Sequence, residues 1–127
     1  MRIITDDLER LVEFYEQVPG VAGVRYTPVF AELIFPSFTL AIGHTVTTKF
    51  FGEDAARPAE NHTAIIEFKV DDVDGEFERL QPTVCEWVQK PTTMPWGNRS
   101  ILFRDPDGNL VNLFTPVTGE AIKKFNG

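Results

Sequence analysis

The chain repeats itself. Ile3-Ile4-Thr5-Asp6-Asp7-Leu8 aligns with Phe68-Lys69-Val70-Asp71-Asp72-Val73, placing Asp7 and Asp72 65 positions apart in a chain of 127 residues. A repeat of half the length restricts the fold to two copies of one supersecondary unit. Each copy opens on a short β-branched run and passes an acidic N-cap with a second acid three residues on (Asp6 and Glu9; Asp71 and Asp74). It then enters an amphipathic helix. Leu8, Leu11, Val12 and Tyr15 form the apolar stripe of the first helix, which Pro19-Gly20 ends. Val73, Phe77 and Leu80 form the second, which ends before Pro82. Strand candidates follow at Val24-Tyr26, Phe30-Phe35 and Thr39-Ile42, then at Cys85-Gln89, Ser100-Phe103 and Leu110-Thr115. Pro28, Pro36, Pro91, Pro95-Trp96-Gly97 and Asp105-Pro106-Asp107-Gly108 separate them. Each half therefore reads βαβββ.

The breakers set the boundaries. The first module spans residues 1–43 and the second 63–117. Between them, residues 44–62 form a Gly-, Ala-, Pro- and charge-rich linker with one apolar patch at Phe50-Phe51. In the tail, 118–127, Ala121, Ile122 and Phe125 are spaced for one helical face. A chain of this size buries roughly two-thirds of its unfolded surface, so its stability requires neither disulfides nor a structural metal. A single cysteine, Cys85, cannot bridge internally, which makes a cytoplasmic, reducing location the expectation. No base or helix N-terminus lies near it in sequence, and it reads as a buried structural thiol. No run reaches the roughly 18 consecutive apolar residues of a membrane span, and no signal-peptide pattern is present. A net charge of −7 without a Lys/Arg cluster argues against nucleic acid. Phosphate-loop and serine-elbow enzymes are set aside because neither motif occurs.

Three segments carry more than a fold class: Ile4-Thr5-Asp6-Asp7-Leu8-Glu9-Arg10-Leu11-Val12-Glu13-Phe14-Tyr15, Val70-Asp71-Asp72-Val73, and Phe103-Arg104-Asp105-Pro106-Asp107-Gly108-Asn109-Leu110-Val111-Asn112-Leu113. Within the repeat they resemble the vicinal oxygen chelate superfamily, which includes glyoxalase I, the bleomycin resistance proteins, fosfomycin resistance enzymes and extradiol dioxygenases. Asp-Pro-Asp-Gly alone is a turn signal; joined to a duplicated βαβββ it specifies a fold. The resemblance covers nearly the whole chain. It implies an α+β domain whose two modules form an eight-stranded open cup, helices outside and ligand within. Strand alternation turns Ile66, Phe68 and Val70 toward the helix and leaves Ile65, Glu67 and Lys69 on the ligand side. The repeat makes Arg2 the equivalent of Glu67, so both are expected inward, able to meet near the cup floor.

Catalytic members of this family usually hold one divalent ion with a His, Gln or Glu from the first and last strand of each module. Carried onto this sequence, those positions fall on Ile65 and Asn112 in the second module and on Ala41 in the first, whose first-strand position would precede Met1. Ile65 and Ala41 have no donor atom and the Asn112 amide is a weak ligand, so no metal and no cofactor is expected. The rival is a rebuilt site using His44 or His62 with Glu32 or Glu67; otherwise these histidines are ordinary linker residues.

The expected function is that of a metal-free small-molecule binding protein of the bleomycin-resistance type, holding an aromatic or cationic ligand in the cup. Glu32 and Glu67 would supply negative charge, with Arg2 as the competing partner of Glu67. Asn112 would give a neutral hydrogen bond, and Trp87 and Trp96 stacking or cation-π contact. Each tryptophan fits a core or a subunit interface equally well. The alternative is a glyoxalase- or dioxygenase-like lyase or isomerase with a non-standard metal site or Glu67 as general base. The family commonly pairs modules across subunits, and eleven Phe and two Trp supply apolar surface, so a homodimer is expected.

Overall fold

The computed structural model describes residues 1–52 and 54–126; Glu53, within the expected linker, and Gly127, at the end of the tail, lie outside the described residues. Its contacts divide into two units. Met1–His62 with Pro106–Gly108 form the first, and Thr63–Asp105 with the chain from Asn109 onward form the second.

The first unit contains β1 (Arg2–Thr5), α1 (Leu8–Gln17), β2 (Val24–Thr27), β3 (Phe30–Ile34), β4 (Thr39–His44) and a 3₁₀ turn (Thr45–Phe50). The second contains β5 (Ile65–Lys69), α2 (Val73–Arg79), β6 (Glu86–Thr93), β7 (Asn98–Arg104), β8 (Leu110–Pro116) and α3 (Gly119–Asn126). The strand orders are β1-β4-β3-β2 and β5-β8-β7-β6. In each sheet the first strand runs parallel to the last and the remaining pairs are antiparallel. Two four-stranded mixed sheets with helices, built twice from βαβββ, are the α+β architecture the sequence predicts.

The helix starts fall one residue later than expected. Asp7 rather than Asp6 caps α1, accepting from the Arg10 amide at 3.2 Å, and Asp72 rather than Asp71 caps α2, accepting from the Gly75 amide at 3.1 Å. In the first module the reason is local. The Thr5 hydroxyl accepts the Asp7 amide at 3.1 Å, fixing the turn, while Asp6 accepts from the Thr45 hydroxyl. Each cap satisfies an orphan amide and contributes about 1 kcal/mol.

Packing follows the apolar stripes. Leu11, Val12 and Tyr15 of α1 are fully buried on the sheet side with Leu33, Leu40 and Ile42, and Val73 of α2 is buried with Ile101, Phe103, Val111 and Leu113. Burial of each large apolar side chain contributes about 1.5–3 kcal/mol. Two further expectations change. Pro91 does not end a strand: β6 runs through it to Thr93, because β6 is an outermost strand and its pairing with β7 slips between Gln89 and Thr92, where a missing N–H breaks no regular ladder. Cys85 is exposed, not buried. Among the described residues no helix is long and apolar enough to cross a membrane.

Candidate functional site

The face of each sheet turned away from its helix mixes polar side chains, Arg2 and Glu32 in the first and Glu67 and Asn112 in the second, with apolar ones. On β5 the alternation is as expected: Ile66 and Phe68 are buried, whereas Ile65, Glu67 and Lys69 are exposed. Registration extends this face across the sheet. Glu67 pairs with Asn112, Asn112 with Leu102, and Leu102 with Gln89, giving one cross-strand row through all four strands. Neighbouring strands lie about 4.8 Å apart, so these side chains are adjacent.

The row is rich in acceptors. Asn112 donates through Nδ2 to Glu67 Oε2 at 2.7 Å. A carboxylate can only accept, so this bond fixes the amide orientation and leaves Asn112 Oδ1 facing elsewhere. Asn112 Oδ1 and Gln89 Oε1 are both buried and have no hydrogen-bond partner among the described residues. They flank the half-buried Leu102. A buried acceptor without a donor costs about 1–3 kcal/mol, which a ligand N–H or O–H relieves.

The first module carries the equivalent row, Arg2–Ala41–Glu32–Val24, in the same strand positions, so the register supports the predicted equivalence of Arg2 and Glu67. Its chemistry differs. Arg2 reaches across β4 and sets its guanidinium carbon 5.2 Å from the Phe30 ring centroid and 5.8 Å from that of Phe51. The half-buried Glu32 accepts from the Tyr26 hydroxyl, which raises the Tyr26 pKa because the bond favours the protonated phenol. Each of Arg2 and Glu67 thus has partners within its own module.

Of the two placements the sequence allows for Trp87, the structure has the one against the helix. Trp87 registers with the fully buried Phe103 and packs against Phe77 of α2 at 4.6 Å and Phe103 at 5.4 Å between ring centroids. It therefore lies half-buried on the helix side, on the face opposite Glu67. Trp96 sits in the turn between β6 and β7 with 67% of its surface exposed. Gln89 and Leu102 were missed: the register slip in β6 removes the alternation that would have shown which way Gln89 points. Phe51 was visible only as half of an apolar pair in the linker.

Opposite these faces, ion pairs tie strands to helices. Arg25 of β2 bridges Glu9 at 2.9 Å and Glu16 at 3.0 Å, holding the Glu16 carboxyl below its usual range. Arg99 of β7 does the same to Asp74 at 2.7 Å.

The residues present do not fit the family's divalent ion. Glu67 and Asn112 supply two adjacent oxygen donors that already hydrogen-bond each other, and Ala41 and Ile65 supply none. His44 Nδ1 accepts the Val46 amide at 3.1 Å, capping the 3₁₀ turn, and His62 is exposed. Among the described residues no three His, Cys, Asp or Glu side chains gather where they could hold a metal.

Comparison with known proteins agrees with this architecture. A family model described as the Glyoxalase/Bleomycin resistance protein/Dioxygenase superfamily matches residues 1–113. YraH of Bacillus subtilis (strain 168), described as uncharacterized, is 24% identical over 120 residues, covering 90% of this chain and 94% of that protein. A crystal structure described as a glyoxalase/bleomycin resistance protein/dioxygenase from Nocardioides is 26% identical with a TM-score of 0.75, covering 94% of this chain and 82% of that one. A family enzyme from Burkholderia phytofirmans PsJN shares the fold at 17% identity and a TM-score of 0.81, covering 92% and 96%.

Proposed function

Because the chain belongs to the glyoxalase/bleomycin resistance protein/dioxygenase superfamily, yet its donor set does not fit that family's ion, we propose that it is a metal-free binding protein for an aromatic or cationic small molecule. The observation that carries this reading is the acceptor row of the second sheet. Glu67, Asn112 Oδ1 and Gln89 Oε1 present one charge and two unmet acceptors around the apolar Leu102. A flat ligand bearing N–H donors satisfies all three while its apolar body covers Leu102. Binding of this kind requires no reacting group. Trp96 is the exposed indole left to meet a ligand, Trp87 being half-buried against Phe77 of α2.

Titration with benzamidinium and with neutral benzamide, followed by amide NMR, tests the proposal. Glu67→Gln keeps an oxygen that accepts from Asn112 and removes only the charge. It should weaken benzamidinium by about five- to 150-fold, the equivalent of about 1–3 kcal/mol, and leave benzamide nearly unchanged. Equal losses for both ligands would refute a charge-selective site. Elemental analysis after dialysis against zinc, nickel, iron and manganese should return well under one ion per chain. A tight stoichiometric ion would instead favour the lyase or dioxygenase-like alternative.

A further inference from the structure

Arg2 is the exception among the seven arginines. Arg10, Arg25, Arg57, Arg79, Arg99 and Arg104 each form an ion pair in a chain with 19 acidic residues. Among the described residues Arg2 forms none. It is exposed and rests on Phe30 and Phe51 instead. β4 makes this possible by placing only Ala41 and Gly43 beneath it, and a Cβ built on Gly43 would lie 3.8 Å from the Phe30 ring. Glu32, two strands away on the same row, is engaged by Tyr26.

A guanidinium stacked on rings keeps its N–H edge available, and that edge matches the two oxygens of a carboxylate. Stacking has already restricted the side chain, so a ligand loses less affinity to ordering it. Phe51, 60% exposed, offers apolar surface beside the charge. We propose that Arg2, Phe30 and Phe51 form an anchoring site for an aryl carboxylate, with the carboxylate held bidentately on the Arg2 fork and the ring against Phe51. This site lies on the first sheet and does not depend on the acceptor row of the second.

Benzoate is the probe, with inorganic phosphate and benzamidinium titrated in parallel by ¹⁵N NMR. Benzoate should shift Arg2 Nε–H and the amides of Ala41 and Gly43. Arg2→Gln should weaken it at least about tenfold, Arg2→Lys less because charge remains without the fork, and Phe51→Ala by about two- to fivefold. Both positions are exposed, and unchanged melting curves would show that the variants fold. Benzamidinium shifts should fall on the second module, so failure of one site is distinguishable from failure of the other. Undiminished benzoate binding by Arg2→Gln would overturn the proposal. So would the absence of benzoate shifts at Arg2, or phosphate binding as tightly as benzoate, which would reduce the site to generic charge attraction.

Discussion

Gly97→Ala is expected to destabilise the second module and release α3. Gly97 has φ +94°, a region that side chains with a Cβ rarely adopt, and it ends the turn between β6 and β7. Its carbonyl accepts the amides of Val117 at 2.9 Å and Thr118 at 3.3 Å, so this peptide holds the chain entering α3. A Cβ there would collide with Thr118 Oγ1 and come within 3.0 Å of the Ala121 Cβ. The Thr118 hydroxyl cannot yield freely, because it accepts the Ala121 amide at 3.2 Å and caps the helix. Backbone strain of about 1–3 kcal/mol and loss of a cap at about 1 kcal/mol together give a loss of about 2–4 kcal/mol. Urea unfolding followed by circular dichroism measures it. Thr118→Ala alone should cost about 1 kcal/mol. The double variant should cost less than the two single changes combined, because the colliding hydroxyl is gone. A loss below about 1 kcal/mol for Gly97→Ala, or strict additivity, would refute the packing described here.

Arg25→Ala should cost up to about 1 kcal/mol at neutral pH, since its pairs remain open to solvent. Arg25 lowers the folded-state pKa of Glu16, so this contribution is present above the unfolded carboxyl pKa and lost as pH falls through the folded one. Melting curves of wild type and variant should therefore lie apart at pH 7 and draw together as the pH falls below the usual carboxylate range. Phe103→Ala, at a fully buried position, should cost about 3–5 kcal/mol and shift Trp87 emission to the red, read by fluorescence-monitored unfolding. Light scattering should return about twice the 14.3 kDa chain mass for the expected homodimer; a concentration-independent monomer would overturn it.

Period-two alternation made the position of Glu67 on the face away from the helix legible, because Ile66 and Phe68 are unambiguous core residues on either side of it. The 65-residue offset likewise placed Arg2, and the register reproduces that equivalence. Trp87 was not legible. Its direction is set by pairing with Phe103, a contact between strands that no local pattern encodes, and the slip beyond it hides the parity of Gln89. The caps were misjudged by one residue because two adjacent aspartates compete for the position, and in the first module Thr5 holds the Asp7 amide locally while Thr45 engages Asp6 from 39 residues away. Pro91 misled for a topological reason: a proline interrupts an inner strand but is tolerated on an outermost one. Arg2's engagement with Phe30 and Phe51 required knowing that Gly43 and Ala41 lie between them.

The placement of β1 beside β4 has a kinetic consequence. β2, β3 and β4 are joined by short turns and pair with their sequence neighbours, whereas β1 pairs in parallel with a strand roughly forty residues later, and long loops close slowly. The antiparallel strands are expected to assemble first and β1 to dock last. The same strand, outermost in its sheet and only four residues long, should exchange its amide hydrogens from the native state sooner than the inner strands β3 and β4. Arg2 would then stand on Phe30 only while that strand is docked, so occupancy by an anion should slow exchange at Ile3 and Ile4 as well as at the residues it touches.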